Sequence, residues 1–382
     1  MKKFLALLVT LLMCFSLVGC GNKGEAGKEP TSTSTTEEVN EVFNKPVSEI
    51  GVVLILNTNL GDHAICDLSN EGLQEVAAKY GIKTKVVELG GDVTLQVPTM
   101  EEYAEDPDFD IIVCGTANLK ESTQKVAQEY PDQKFILYDA QDELGLENIF
   151  SMDHAQNEGA YLAGVAAALL TTSNAELANE EKVVGFVGGG ENTALDDYLI
   201  GYIQGVHSVD EEIDVLISWI GDFKDTAKGK ELAVSQASQG ADVIFSVAGG
   251  AGLGILVGCA ESNVYAIGVD SDQYTVLNPT DPETAAHICT SMFKKVNVTV
   301  STLVSDTIEG KLAFGDYVKW GLQEGVVGLA TENDNYKSIF TQEMQDYIAQ
   351  VQKDATEGKL EIKSAIGMAN EDVQAIIASA SK

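Results

Sequence analysis

Residues Phe245 to Asp272 read FSVAGGAGLGILVGCAESNVYAIGVDSD. An apolar strand ends in clustered glycines, an apolar helix follows, and a second strand ends at Asp270, about 20 residues beyond the turn. A strand, helix and strand in this order form a parallel pair joined by a helical crossover. Its outline is that of a dinucleotide-binding turn, but the glycines fail the fingerprint. They read GGAGLGI, with Ile255 where the last glycine of GxGxxG belongs. A second turn, Gly188-Gly189-Gly190, follows the strand KVVGFV and lacks the lysine of a phosphate loop. What both turns retain is bare backbone close to a ligand and free N–H groups at a helix start.

The same rhythm runs outward in both directions. From Ile50 come the short apolar runs GVVLIL, KTKVVEL, FDIIVCG, KFILYDA and NIFSMD, with helical stretches such as EGLQEVAAKYG between several of them. Leu73, Val76, Ala77 and Tyr80 share one face of that helix. After the long helix EGAYLAGVAAALLTT the pattern restarts with KVVGFVGG, DVLISWIG, ADVIFSV and VYAIGVD. Near-continuous apolar strands between helices imply parallel sheets covered on both faces. The expected fold class is therefore α/β, with two doubly wound parallel-sheet lobes and a ligand cleft between them. The first lobe is expected over 48–154 plus about 275–312 and the second over 155–274 plus about 313–382, the late segments crossing back to complete both.

The chain opens MKKFLALLVTLLMCFSLVGCGNK. Two lysines and a short apolar run form a secretory signal over 1–19, too short for a transmembrane span. Leu17-Val18-Gly19-Cys20 resembles a bacterial lipobox, which implies lipidation of Cys20 after cleavage. Residues 20–47, rich in Gly, Ser, Thr and Glu, are expected to be a flexible tether. The protein is thus expected outside the cytoplasm, held at the cell membrane by its N-terminal lipid alone. A formal charge of −35 argues against nucleic-acid partners. Cys66, Cys114, Cys259 and Cys289 are widely spaced and form no CxxC or zinc pattern; buried free thiols are the default reading.

Catalytic patterns are missing. The four histidines form no HExxH or paired-ligand motif, and there is no GxSxG elbow. No enzyme activity, cofactor or metal is implied. Open parallel sheets bind ligands beyond the carboxyl ends of their strands. Asp62, Asp139, Gly189, Gly249 and Asp270 fall at or just past such ends. A carboxylate there suits a polyol, since it accepts charge-assisted hydroxyl hydrogen bonds worth about 1.5–3 kcal/mol each.

From Val52 to about Thr331 the chain resembles the basic membrane protein family. The matching stretches include QKVAQEYPDQKFILYD, NIFSMDHAQNEGAYLAGVAAAL, GADVIFSVAGGAGLG, YAIGVDSDQ, CTSMFKK and GLQEGVVGLA. These proteins are lipoprotein substrate-binding components of ABC importers, typified by purine nucleoside receptors, with a type I periplasmic-binding fold. The resemblance implies a monomer that delivers a nucleoside to an ABC permease. The alternative is a sensor of the same fold for a sugar-like or other small solute. Residue by residue, it implies that Asp270 grips ribose hydroxyls with help from Lys294, that Asp139 reads the polar edge of the base, and that Phe223 covers the base. Gly249 or Gly250 would let the ligand lie against backbone, and Asp62 is the acid retained from the family's first loop. That loop otherwise departs: GDHAICDLSNEGL has Gly61, Ile65, Cys66 and Asn70 where family members carry an Asp, a Phe-Asn pair and an aromatic. Less aromatic stacking is expected from the first lobe.

Overall fold

The computed structural model describes residues 39–139 and 144–380. A short antiparallel pair, β1 (Val39–Asn40) and β2 (Lys45–Pro46), leads into the first lobe. That lobe continues with β3 (Gly51–Leu56), α1 (Ile65–Tyr80), β4 (Lys83–Glu88), α2 (Gln96–Glu105), β5 (Ile111–Gly115), α3 (Lys120–Glu129), β6 (Lys134–Tyr138) and β7 (Ile149–His154). The chain then crosses to α4 (Gln156–Thr171), β8 (Val183–Gly188), α5 (Thr193–Val209), β9 (Asp214–Trp219), α6 (Thr226–Ser238), β10 (Ala241–Val247) and α7 (Gly252–Glu261). There follow β11 (Tyr265–Asp270), the short helices α8 (Gln273–Leu277) and α9 (Pro282–Ala285), and β12 (Ile288–Lys294). It returns through α10 (Val296–Ile308) and β13 (Tyr317–Trp320), then crosses again to β14 (Val327–Leu329), α11 (Asp334–Ile339), α12 (Gln342–Thr356) and α13 (Asn370–Ala378).

Two six-stranded sheets result, in the orders β13-β7-β6-β5-β3-β4 and β14-β12-β11-β10-β8-β9. Every neighbouring pair is parallel except β12 with β14. The central strands are apolar because both faces are covered. β3, β5 and β10 are buried throughout, and helices pack on either side of each sheet. The expected two-lobed α/β architecture is present.

The lobe boundaries differ from the sequence reading. Residues from about 275 were expected in the first lobe, yet β12 lies in the second sheet, with Asp270 paired to Phe293. Of that segment, α10 packs on the first core through Val296, Val300, Leu303 and Val304, followed by Leu312. Residues from 313 were expected in the second lobe, yet β13 pairs with β7 in the first sheet, Lys319 beside Asp153. Both strands are short runs whose partner is fixed by long-range pairing rather than by local pattern. The tether also ends earlier than 47. Asn40 is buried and its side-chain amide donates to the Ile308 carbonyl at 2.7 Å, while Phe43 and Val47 pack against the first core. The signal segment, the lipobox with Cys20 and the tether before residue 39 lie outside the described residues. All four described cysteines are buried free thiols.

One helix contact holds the second lobe to the crossover. Fourteen of the 16 residues of α4 are buried. A Cβ at Gly201 would lie 2.1 Å from the Asn157 carbonyl oxygen, and one at Gly205 would lie 2.0 Å from that of Tyr161. Glycine there lets α5 approach α4 backbone to backbone, which anchors the first crossing segment directly beside the cleft.

Candidate functional site

A cavity of about 630 Å³ opens where the carboxyl ends of the two sheets face each other. That volume lies in the range that encloses a small organic ligand. Of the residues singled out in the sequence, Asp62, Asp139, Phe223, Gly249, Gly250, Asp270 and Lys294 line it, and Gly189 does not. Each stands at or just past a strand end or a helix start, which is where the fold converges. Asp139 and Asp270 both have positive φ, 53° and 66°. Non-glycine residues seldom occupy that region, and such strain gathers at functional sites.

The three acids are in different states. Asp62 precedes α1 and accepts the backbone N–H groups of Ala64, Cys66 and Asp67 at 3.0–3.1 Å. It serves as the cap that α1 otherwise lacks. Asp139 joins three segments. His154 Nδ1 donates to its Oδ1 at 2.6 Å and Lys294 Nζ to its Oδ2 at 2.7 Å. Burial opposes ionisation of Asp139, but Lys294 and His154 outweigh it and hold the carboxyl below the usual range. Burial pushes the His154 imidazolium down, the Asp139 charge only partly offsetting it. A neutral His154 then donates from Nδ1 to Asp139 and accepts at Nε2 from Thr299, 2.9 Å away, an assignment made from the hydrogen-bond network. Lys294 is 3% exposed; burial works against its charge, yet Asp139 and other neighbours keep its pKa above the ordinary value.

Asp270 differs from both. It is 6% exposed, and no donor among the described residues reaches its carboxylate. Burial pushes it up to about 6, with Lys294 pulling the other way. A carboxylate in this condition is stabilised by any guest that supplies hydroxyl or N–H donors.

Phe223, 39% exposed, forms an aromatic face on the second-lobe wall. Its ring lies on the glycine turns: a Cβ at Gly189 would come within 2.5 Å of it. The first turn is therefore bare because it seats this ring. Gly249 has φ +52°, so the turn itself requires glycine there. Opposite, Ile65, Cys66 and Tyr138 line the first-lobe wall, whereas Asn70 is not part of the lining and instead accepts from Gln74 Nε2 at 3.2 Å. The departure at Asn70 from the family pattern thus leaves the wall untouched; those at Gly61, Ile65 and Cys66 alter it.

Sequence reasoning passed over several lining groups. Asp153, Tyr198 and Lys224 all line the cavity, with Lys294 Nζ 5.8 Å from the centre of the Tyr198 ring. Asp153 closes the apolar run NIFSMD just as Asp139 closes FILYD, so the same sequence signal marks it. Lys224 and Tyr198 carried no local signal. Two hydrogen bonds span the mouth from lobe to lobe: Lys224 Nζ donates to the Gly90 carbonyl at 3.1 Å and Ser271 Oγ to that of His63 at 3.3 Å.

Comparison with known proteins agrees with the two-lobed fold. Residues 50–364 match the Bmp family, described as ABC transporter substrate-binding protein PnrA-like. The ABC transporter nucleoside-binding protein BmpA of Lactococcus lactis subsp. cremoris is 28% identical over 335 residues, covering 84% of this chain and 91% of the relative. The CD4+ T-cell-stimulating antigen of Listeria monocytogenes is 28% identical over 332 residues, covering 82% and 89%. The crystal structure of an ABC transporter solute-binding protein from Aeropyrum pernix K1 superposes with a TM-score of 0.75 at 22% identity, covering 87% of this chain and 98% of that one. At that identity the likeness concerns the fold alone.

Proposed function

Because the chain belongs to the PnrA-like family of ABC transporter substrate-binding proteins, we propose that the solute it binds is a nucleoside, delivered to an ABC permease from outside the cytoplasm. The observation that carries this reading is the open Asp270 carboxylate beside Lys294, on the same cavity wall as Phe223. A ribose supplies the paired hydroxyl donors that Asp270 lacks, and a flat base suits the aromatic face. The L. lactis relative's name as a nucleoside-binding protein adds support. A phosphate group is disfavoured, since Asp139 already engages Lys294, while Asp62 and Asp270 would repel an anion.

Binding requires no bond chemistry. The guest bridges groups on both lobes, favours the closed arrangement by its differential contacts, and so presents a closed surface to the permease. Cys20, as the lipid-bearing terminus, keeps the receptor near that partner. Calorimetric titration of the protein with adenosine, guanosine, inosine and pyrimidine nucleosides tests the ligand class. Saturable heat with at least one purine nucleoside is expected, and silence toward all of them overturns the nucleoside reading while leaving the fold and family intact. Substituting Cys20→Ala is expected to release the protein from membranes of expressing cells, read by fractionation.

A further inference from the structure

The inner wall of the cavity holds a carboxylate that the reading above does not use. Asp153, the penultimate residue of β7, lines the cavity and is 0% exposed. Neither of its oxygens has a hydrogen-bond partner among the described residues. The charged groups around it are engaged elsewhere. Asp139 holds His154 and Lys294, Asp197 on α5 accepts from Ser364 and Ala365, and Lys319 on β13 donates to Ser364 at 3.2 Å. Burial, followed by the Asp139 charge, pushes the Asp153 carboxyl up to about 7.

A buried carboxylate without a donor is among the least favourable arrangements a folded chain holds. Asp153 and Asp139 stand side by side, because Tyr138 pairs with Met152 on the adjacent strand. Of the two, Asp139 already carries one strong donor on each oxygen, and Asp153 carries none. Asp270 feels the charge of Asp62, whereas Asp153 feels Lys319 and Asp197. The two unpartnered acids therefore sit in different charge surroundings while sharing the Asp139–Lys294 pair.

We propose that Asp153 is a specificity-determining residue, accepting N–H hydrogen bonds from the polar edge of the bound base while Asp270 takes the sugar hydroxyls. This rests on the nucleoside reading and names the part of the guest that the second acid selects. Two open oxygens on one carboxylate match two adjacent N–H donors. At that edge guanosine presents two, inosine one and purine riboside none. Accepting also requires the ionised acid, so affinity rises with pH until the carboxyl has lost its proton.

Titration calorimetry of the whole protein with guanosine, inosine and purine riboside, at pH 6, 7 and 8, tests this. In the wild-type protein affinity is expected to fall in that order, by about tenfold per donor lost. Guanosine affinity is expected to rise about twentyfold from pH 6 to 8, about tenfold from Asp153 and about twofold from Asp270. Asp153→Asn, and Asp153→Ala as a second variant if the first folds poorly, compress the series to within about threefold and leave only the smaller pH rise. A series kept intact in a folded Asp153 variant, or purine riboside binding the wild-type protein as tightly as guanosine, overturns this inference alone. No heat from the wild-type protein with any of the three overturns it together with the nucleoside reading.

Discussion

The two lobes bring acids to the cavity in different ways. The first lobe's Asp62 and Asp139 line the wall with their oxygens already engaged, one by the start of α1 and the other by His154 and Lys294. The second lobe's Asp270 lines the same cavity with no donor to its carboxylate among the described residues. Position at a strand end thus makes an acid available to the cavity, but its internal partners decide whether it has capacity left for a guest. Asp62 and Asp139 hold the first lobe's shape, while Asp270 of the second lobe and Asp153 of the first keep their oxygens for a guest.

The largest expected effect tests the open side. Asp270→Ala removes charge-assisted bonds to two hydroxyls, so nucleoside affinity is expected to fall by at least about a hundredfold with the fold unchanged. Calorimetry beside circular dichroism measures both, and unchanged affinity dissolves the contrast between Asp270 and the engaged acids. Next comes the engaged side. Asp139→Asn leaves Lys294 buried without its counter-charge and is expected to destabilise the protein by about 3–5 kcal/mol in urea unfolding. If the same variant unfolds normally but fails to bind, Asp139 belongs with the gripping residues after all.

A pH series sharpens the comparison further. Asp270 has a folded pKa of about 6, above its ordinary value of 3.8. The folded state therefore holds this proton when the unfolded chain has lost it, and the ligand-free protein loses stability as pH rises from about 4 to about 6. Asp270→Asn is expected to leave stability unchanged near pH 4 and to raise it on the order of 3 kcal/mol at pH 7.5, read by thermal unfolding. An equal effect at both pH values contradicts the unpartnered carboxylate. The smallest change is expected from Asp62→Ala: about 1 kcal/mol of stability lost with the cap of α1, and nucleoside affinity within about threefold of wild type. A far larger loss of affinity than of stability would move Asp62 to the gripping side.

Much of this was legible in the residues themselves. Clustered glycines after apolar strands, and acids ending FILYD and IGVD, are local signals, and the fold carries the second glycine cluster and both acids to one cavity. The lobe membership of β12 and β13 was not legible, because CTSMFKK and DYVKWGL are short strands whose partners lie far along the chain. The meaning of the glycine turns also changed: Gly189 is bare for the Phe223 ring and does not line the cavity. Asp153 shows the limit most clearly. Its strand-end position was visible, but its lack of partners depends on where His154, Lys294 and Lys319 point their own groups.

By itself the sequence determined the class of fold and three of the acids that line the cleft, Asp62, Asp139 and Asp270, since strand periodicity and turn chemistry act over a few residues. Only the tertiary structure decided which of those acids are free. A carboxylate's capacity depends on donors brought to it from residues up to 155 positions away, as Lys294 is to Asp139, and no local pattern records that encounter.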